Sequence, residues 1–329
     1  MTSGMTSRRS TLRLVAAALA CAATGSAHAQ SYPTKPIKLI VPFGPGGPTD
    51  VAARLASRII QDGLGQPVVI ENRPGAGGAT GTRSVAQSEP DGYTLLLGTV
   101  ATLAAVPAVQ SNPGFDPVKS FAPVSQLTAS TALMIVPPSL PVSTVGEFIA
   151  YAKANPGKLN YSSAGVGNQT HLNGEVFKAK TGVHLVHVPY KSGAEMLTAV
   201  LTEQAQLTFS DISVALPLIE EKKLKALAVT TPERWPAIAH LPTMIEGGVP
   251  DFVSSFWTGV LAPAGTPADI VNKLSAAIHE GLKSQASQSV LSRIGALPRP
   301  RSPQELSDYI GSEAARWSAA VKLAGIKPE

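Results

Sequence analysis

The sequence predicts an α/β fold of two lobes, each a mostly parallel sheet flanked by helices, with a cleft between the lobes. Three observations support this fold class. Short apolar, β-branched runs alternate with amphipathic helical patterns along the chain. The alternation restarts once, after a proline-rich stretch at residues 113–123. The C-terminal part has too few strands for a third domain, so we expect it to return to the first lobe.

The first lobe begins with a βαβαβ pattern, which implies parallel strands joined by right-handed crossovers. Its first helix carries apolar residues at helical spacing, and Gly63 and Gly65 end it. The expected strands cover residues 37–41, 67–70 and 93–97, and the expected helices cover residues 49–62 and 79–87.

The second lobe repeats this alternation. Thr144 and Glu147 have the spacing of a capping box at the start of one of its helices. The expected strands cover residues 133–136, 159–162, 184–188, 206–209 and 226–230, and the expected helices cover residues 144–154, 169–180, 194–203 and 213–222.

The C-terminal part supplies a strand at 256–261 and long helices at 267–282 and 303–324. Because we expect these elements to complete the first lobe, the chain crosses between lobes twice. The predicted division is residues 30–129 plus 252–329 for domain 1 and 130–251 for domain 2, with crossings near 128–132 and 250–256.

Residues 1–29 have the pattern of a signal peptide. Arginines precede an Ala/Leu-rich stretch at 14–23, and the small-x-small motif at 27–29 predicts cleavage after Ala29. The adjacent Arg8 and Arg9 also fit a twin-arginine signal. Sec and twin-arginine export therefore stay open as alternatives, and both take the protein out of the cytoplasm.

Cleavage changes the charge and the cysteine count. The leader carries three of the 27 basic residues, so the mature chain has 24 basic and 22 acidic residues. This near balance removes the electrostatic case for binding nucleic acid. The only cysteine, Cys21, leaves with the leader, which excludes disulfides, thiolate catalysis and cysteine metal sites.

Several glycine-rich loops follow predicted strands and lead into helices. In open parallel sheets, ligands bind outside the carboxyl ends of the strands. Glycine lets the backbone approach a ligand, and a helix N-terminus adds about half a positive charge, so these loops predict an anion site without an arginine. The loops cover residues 43–50, 98–102, 163–170, 190–194 and 211–213.

Motifs for nucleotides and for catalysis are absent from the sequence. Gly75-Ala76-Gly77 and Gly165-Val166-Gly167 both lack the third glycine of the dinucleotide fingerprint, and there is no P-loop. Ser163 lacks the preceding glycine of a nucleophile elbow. We therefore expect no catalytic residue and no cofactor.

Histidines also give no catalytic or metal motif. His184 and His187 should point to opposite faces of a strand, which makes metal ligation by this pair improbable. We therefore expect no metal site. His171, just inside a helix start, is interpreted as a structural hydrogen-bond donor.

The mature chain resembles the Bug (TctC-like) family, the periplasmic solute-binding receptors of tripartite tricarboxylate transporters. The resemblance runs over essentially the whole mature chain, and it is the order and spacing of the motifs that make it specific. The motifs are PFGPGGPTD at 42–50, ENRPGAGG at 71–78, PDGYT at 90–94, GVG at 165–167, THL at 170–172, VPYK at 188–191, LKALA at 224–228 and LAPAGTP at 261–267.

The resemblance implies a two-lobe periplasmic-binding-protein (Venus flytrap) fold that closes on a small carboxylate, held by backbone N–H groups, small side chains and water. Ser192 and Asn168 depart from the common family pattern, which bears on ligand choice. The implied ligand-binding residues are Phe43, Gly44, Gly46, Gly47, Thr49, Asp50, Thr99 and Thr102 in the first lobe and Ser163, Ala164, Gly165, Thr170, Tyr190 and Asp211 in the second.

Four charged residues near these loops can each be explained without contact to a ligand. Asp50 and Asp211 sit at helix starts, where a carboxylate caps the helix. Asp211 has the alternative of accepting a ligand hydrogen bond through water. Arg73 is expected to pair with a carboxylate, and Lys191 to be a solvated side chain near the cleft mouth.

The sequence thus predicts a monomeric, non-catalytic periplasmic receptor that delivers a carboxylate to the permease subunits of a tripartite tricarboxylate-type transporter. One alternative is a sensory receptor that presents the same ligand to a membrane sensor kinase. Another is an exported α/β hydrolase or isomerase. The sequence does not identify the carboxylate.

Overall fold

A mixed sheet of ten strands organises residues 32–327, the part of the chain that the computed structural model describes. Its strands are β1 (Ile37–Val41), β2 (Val68–Asn72), β3 (Thr94–Thr99), β4 (Phe121–Val136), β5 (Leu159–Ser163), β6 (Leu185–Pro189), β7 (Leu207–Asp211), β8 (Lys225–Val229), β9 (Ser255–Pro263) and β10 (Leu297–Pro298). The predicted signal peptide lies outside the described residues.

The outer strands of the sheet are parallel, as the sequence predicts. The order along the sheet is β2-β1-β3-β9-β4-β7-β5-β6, with β8 and β10 each pairing with β4. Strands β1, β2 and β3 pair in parallel, and so do β5, β6 and β7. The central strands β4 and β9 run antiparallel to their neighbours, so the sheet is mixed rather than mostly parallel.

Helices flank this sheet, and their apolar faces pack on it. Within residues 32–327, none combines the length and apolar character of a membrane span. The helices are α1 (Pro48–Leu64), α2 (Ala79–Ala86), α3 (Val106–Val109), α4 (Val145–Ala154), α5 (Gln169–Thr181), α6 (Gly193–Leu201), α7 (Ile212–Glu220), α8 (Ala268–Leu282), α9 (Gln285–Arg293) and α10 (Pro303–Leu323).

Strand β4 is much longer than the sequence predicts. The expected strand covered residues 133–136, whereas β4 runs through Phe121–Val136. Its first part pairs with β9, and its last part pairs with β7 and β8. The polar run SQLTAST at residues 125–131 lacks the periodicity of a strand, but pairing with β9 buries much of it. One continuous strand therefore connects the two parts of the sheet.

Several further elements, α3 among them, do not appear in the sequence prediction. A π-helical turn at Ala101–Ala105 leads into α3, and the polar α9 and the two-residue β10 follow α8.

At α4, Thr144 caps the helix as predicted, but the carboxylate of Glu147 accepts from the backbone N–H of Ser143 at 2.6 Å rather than from Thr144. The capping box is therefore shifted by one residue.

A buried threonine links the two places where the chain passes between the parts of the sheet. The hydroxyl of Thr230 donates to the carbonyl of Ser254 at 2.6 Å and lies 3.2 Å from the backbone N–H of Ala132 in β4. Backbone contacts group the described residues from 35 onward as one unit. The division into 30–129 plus 252–329 and 130–251 stays a prediction.

Candidate functional site

A cavity of about 540 Å³ lies at the carboxyl ends of the parallel strands, where the sequence predicts the ligand. Its lining comes from loops of both parts of the sheet and from the central strands β4 and β9. Of the predicted ligand-binding residues, the cavity is lined by Phe43, Gly44, Gly47, Thr49, Thr99, Ala164, Thr170 and Asp211. The others, which do not line it, are Gly46, Asp50, Thr102, Ser163, Gly165 and Tyr190.

The loop before α1 presents open backbone to the cavity. A Cβ added at Gly44 or Gly47 would meet no atom within 4 Å. Within the described chain, no protein acceptor takes the backbone N–H of Gly44, Gly47 or Thr49. Gly47 is the N-cap of α1 and supplies no side-chain cap. These amides and the positive end of the helix dipole can therefore bind an anion.

Asp50 holds this loop from behind instead of facing the cavity. Its Oδ2 accepts from the backbone N–H of Gly46 at 3.2 Å and from Nε of Arg54 at 3.0 Å. The side chain is buried, and Asp50 does not line the cavity. Asp50 lies in the first turn of α1, as predicted, but it does not cap the helix: it accepts from Gly46, which precedes the N-cap Gly47. The structure does not place it for ligand contact.

Two threonines close the turn after β3. The backbone N–H of Thr99 donates to the hydroxyl of Thr102 at 3.1 Å, and the N–H of Thr102 donates to the hydroxyl of Thr99 at 3.2 Å. Thr99 lines the cavity, whereas Thr102 is fully buried beneath it. Thr102 therefore shapes the turn rather than facing the cavity.

The loop between β5 and α5 is tied together by its own side chains. The backbone N–H of Ala164 donates to the hydroxyl of Thr170 at 2.9 Å. Asn168 caps α5 by accepting from the N–H of Thr170 at 3.0 Å. The amide of Ala164, which the sequence analysis offers to a ligand, is thus already used within the loop.

Two histidines contact the end of β5 and the loop that follows it. Oγ of Ser163 lies 2.6 Å from Nε2 of His187 and accepts from the N–H of Gly165 at 3.2 Å. Nδ1 of His171 accepts from the N–H of Gly167 at 3.2 Å. Nδ1 of His171 therefore accepts a hydrogen bond, whereas the sequence analysis expects a donor; in the neutral ring the proton then lies on Nε2.

The two imidazole rings belong to a partly buried polar cluster. Their centroids are 4.2 Å apart, and the His187 ring stacks on Tyr161 at 4.8 Å. The hydroxyl of Tyr161 donates to Glu175 at 2.5 Å, and Lys178 donates to the same carboxylate at 2.8 Å. This cluster holds the rings in one orientation beneath the loop.

Burial determines the protonation states in this cluster. Burial lowers the pKa of His187 to about 4, and His171 beside it adds to this effect. Burial also lowers the pKa of His171 below its usual value. Although burial opposes the change, hydrogen bonds from Lys178 and Tyr161 hold the pKa of Glu175 below its usual value. Both histidines are therefore neutral at pH 7.

Asp211 lies at the floor of the cavity as the N-cap of α7. Its Oδ1 accepts from the backbone N–H of Ser213 at 2.8 Å, and its Oδ2 accepts from the hydroxyl of Ser130 at 2.7 Å. Burial raises the pKa of this carboxyl above its usual range. The N-cap interpretation is confirmed, and Asp211 also lines the cavity.

Neither remaining cation of the sequence analysis lies deep in the site. Lys191 is exposed and lines the cavity at its mouth. Arg73 pairs with Glu71 at 2.6 Å, as predicted. Tyr190 does not line the cavity, and its hydroxyl lies 3.4 Å from Gln204. Among the residues that line the described cavity, none is an arginine.

The sequence analysis misses the contribution of the central strands. Thr128 and Ser130 of β4 and Phe256, Trp257 and Thr258 of β9 all line the cavity. Their sequence carries no glycine-rich loop and no helix start, so the signals used for the other loops do not find them. Within residues 32–327, no group of His, Cys, Asp and Glu is arranged to hold a metal ion.

Known proteins resemble this chain over nearly its full length. A family model described as a tripartite tricarboxylate transporter family receptor matches residues 52–326. Protein BugT of Bordetella pertussis is 36% identical over 300 residues, which cover 91% of this chain and 92% of the relative.

Solved structures also resemble this chain over most of its length. A solved R. palustris protein with adipate is 39% identical, with a TM-score of 0.84, and the match covers 91% of this chain and 100% of that one. MatC from Rhodopseudomonas palustris with bound malate is 35% identical, with a TM-score of 0.80, and the match covers 88% and 100% of the two chains.

Proposed function

The chain belongs to the family of tripartite tricarboxylate transporter receptors, and on this premise we propose that it captures a small carboxylate in the cavity of about 540 Å³. After export to the periplasm, it delivers this ligand to the permease subunits of a tripartite tricarboxylate-type transporter. It acts as a monomer and without a cofactor.

The observation that carries the proposal is the set of free backbone amides at the start of α1. The N–H groups of Gly44, Gly47 and Thr49 have no acceptor within the described residues, all three residues line the cavity, and a Cβ added at either glycine meets no atom within 4 Å. A carboxylate satisfies such donors without a cationic side chain. Similar proteins have been solved with adipate and with malate.

Closure of the two predicted domains completes the site in this proposal. The loop before α1 lies in residues 30–129, and the loops around Ala164, Lys191 and Asp211 lie in 130–251. A ligand that contacts both groups of loops favours the closed arrangement by its differential affinity for it. The permease subunits then recognise the closed, loaded receptor.

A sensory receptor is the alternative with the same binding step. It would present the loaded, closed form to a membrane sensor kinase instead of a permease. The cavity has no feature that separates the two outputs. Pull-down of the ligand-loaded receptor with permease subunits or with a sensor kinase distinguishes them.

An exported hydrolase or isomerase is less well supported by the geometry. Ser163 and His187 are within hydrogen-bond distance, which resembles a nucleophile–base pair. However, Ser163 is completely buried and does not line the cavity. The hydroxyl therefore has no path to a substrate, and its role is to support the loop. Incubation of the purified protein with carboxylate esters is expected to give no product.

The first test is a thermal-shift and calorimetric screen of residues 30–329 after unfolding and refolding to remove any retained ligand. A ligand that binds only the native state raises Tm by mass action. We expect mono- or dicarboxylates to raise Tm and the matched amides not to do so. Stabilisation by neutral sugars or amides alone would reject the carboxylate proposal.

A further inference from the structure

We propose that Oε1 of Gln169 selects acids that carry a hydroxyl or amino group on the carbon skeleton, because such a group can donate a hydrogen bond to it. This inference rests on the proposed function and names the class of acid within it. The carboxylate of the acid binds at the amides before α1, and the donor group binds at the start of α5. The two parts of the site can therefore be tested separately.

Gln169 is a buried polar residue that belongs to the cavity lining. It is the first residue of α5, its exposed fraction is 0%, and it lines the cavity. A buried amide needs hydrogen bonds for both its nitrogen and its oxygen, since withdrawal from water without a partner is costly. The partners of the two atoms therefore decide what this side chain can do for a ligand.

The nitrogen of this amide is fully used within the protein. Nε2 of Gln169 donates to Oγ of Ser254 and to the carbonyl of Ser255, each at 3.0 Å. The opposite orientation of the amide would place Oε1 against the carbonyl of Ser255, and two acceptors would then face each other. These hydrogen bonds therefore fix Oε1 as the free end of the amide.

Oε1 of Gln169 is buried and has no donor within the described part of the chain. Ser254 and Ser255 do not line the cavity whereas Gln169 does, so Nε2 points away from the cavity and Oε1 is left on its side. One turn further along α5, Nδ2 of Asn173 also lacks a partner, so it does not bond to Oε1. An unpaired acceptor in this position favours a ligand that brings a donor.

The neighbouring hydroxyls leave room for a polar group on the ligand. The hydroxyl of Ser130 donates to Asp211 at 2.7 Å and is therefore engaged. The hydroxyls of Thr128 and Thr258 lie 2.8 Å apart and share one hydrogen bond, which leaves one of their two O–H groups unused. The central strands thus do not supply the donor for Oε1, and they do not exclude a hydroxyl or amino group from the cavity.

Matched sets of acids isolate the contribution of the donor group. Succinate, glutarate, adipate and benzoate are each compared with their monohydroxy and monoamino derivatives. Any further acid that raises Tm in the carboxylate screen forms a set with its own derivatives. A site that bonds to a hydroxyl or amino group rejects the analogue without it, so we expect calorimetry on the refolded protein to give at least about 10-fold tighter binding of a derivative than of its parent acid. The hydroxy and amino members show which donor the site takes.

Variants of three side chains test where this preference arises. Gln169→Met removes Oε1, and we expect the preference for the derivative to fall by about 10-fold or more. Ser254→Ala is the control, because it removes one partner of Nε2, leaves Oε1 in place and lies outside the cavity lining. Ser213→Ala removes another buried hydroxyl without a partner from a lining residue, and it should retain the preference. If Gln169→Met does not fold, as judged by its Tm, Gln169→Asn replaces it, because the shorter side chain withdraws the oxygen.

The possible results separate this inference from the proposed function. If the parent acid of every set that binds is held as tightly as all its derivatives, water rather than a ligand satisfies Oε1; the inference is then overturned and a carboxylate receptor remains. A preference that persists in the Gln169 variant, or that is lost only in Ser213→Ala, would also overturn it, because another group would then bind the donor. If no acid in these sets or in the wider carboxylate screen binds, the proposed function and the inference fail together.

Discussion

Nδ1 of His171 accepts a hydrogen bond from the backbone N–H of Gly167 at 3.2 Å. This bond holds the loop between β5 and α5, which carries Ala164 and Thr170 to the cavity. Since the ring nitrogen can accept only while it is unprotonated, protonation at this atom would place two donors face to face. The loop geometry therefore depends on a neutral His171.

Replacement of His171 should weaken ligand binding without a direct contact to the ligand. We expect His171→Ala to lower affinity about 10-fold, because the N–H of Gly167 loses its acceptor. His171→Asn, whose Oδ1 can take the place of Nδ1, should retain most of the affinity. In the wild type, affinity should fall as the pH decreases through the pKa of His171, which burial holds below its usual value, whereas it should fall less in His171→Asn.

Calorimetry at pH 7.5 and 5.0 checks this prediction. An equal loss of affinity with acid in the wild type and in His171→Asn would assign the pH dependence to another group. The groups around the ring that also titrate or carry charge are His187, Glu175 and Lys178, together with Tyr161.

The depressed pKa of His187 should make the fold less stable in acid. The unfolded state binds a proton below about pH 6.5, whereas the native state binds it only below a pKa of about 4. Stability from this residue is therefore complete above pH 6.5 and is lost as the pH falls toward 4. After allowance for partial exposure, we expect a contribution of about 1–2 kcal/mol, or roughly 2–6 °C in Tm.

The variant His187→Gln isolates this contribution, because glutamine keeps a polar nitrogen or oxygen near Oγ of Ser163 but does not titrate. Tm should fall less between pH 7.5 and 4.5 in the variant than in the wild type. Parallel Tm–pH profiles of the two proteins would contradict the prediction, since the remaining titratable groups are common to both.

Gly44 should be needed for binding but not for folding. Its backbone does not have a positive φ, and a Cβ added there meets no atom within 4 Å. Gly44 lines the cavity beside the free amides, so an added methyl group is expected to hinder the approach of a ligand to them. We expect Gly44→Ala to lower ligand affinity at least about 10-fold and to change Tm little.

The matched control is Gly146→Ala in α4, where an added Cβ also meets no atom within 4 Å and the residue does not line the cavity. It should bind ligand as the wild type does. Full affinity in Gly44→Ala would show that the ligand does not approach this part of the loop.

Asp211 should weaken the binding of an acid when it is ionised. Asp211→Asn removes this charge and keeps an oxygen for the N–H of Ser213, so we expect affinity for a carboxylate to rise about 3- to 10-fold. Asp211→Ala also removes the cap, which should lower stability by about 1 kcal/mol. Calorimetry and denaturant unfolding measure the two effects. Loss of affinity in Asp211→Asn would instead indicate a ligand group that donates to Asp211.

Thr230 should stabilise the native fold, because its hydroxyl joins the two segments, around Ala132 and Ser254, by which the chain passes between the parts of the sheet. Thr230→Val removes the hydroxyl between Ser254 and Ala132 and leaves buried backbone groups unpaired, at a cost of about 1–3 kcal/mol. Thr230→Ser keeps the hydroxyl and should lose much less stability. Denaturant unfolding measures both variants, and equal losses would show that the methyl group rather than the hydroxyl matters.

The sequence alone predicted the α/β class, most helices and strands and the loops that face the cavity. It succeeded because these elements carry local signals, such as alternating apolar patterns and glycine-rich loops before helix starts. Asp211, for example, was recognised as an N-cap because the preference for aspartate at helix starts is local. The loop around Gly44 and Gly47 was found for the same kind of reason.

The tertiary structure decided which of the predicted residues face the cavity and which lie behind it. Ser163 and Thr102 are buried beneath their loops, whereas Thr128 and Phe256 reach the cavity from central strands that carry no motif. It also decided that His171 and His187 meet under one loop. These arrangements depend on pairing between segments far apart in the chain, such as β4 with β9, and local sequence patterns do not encode the side of a loop that such pairing leaves open.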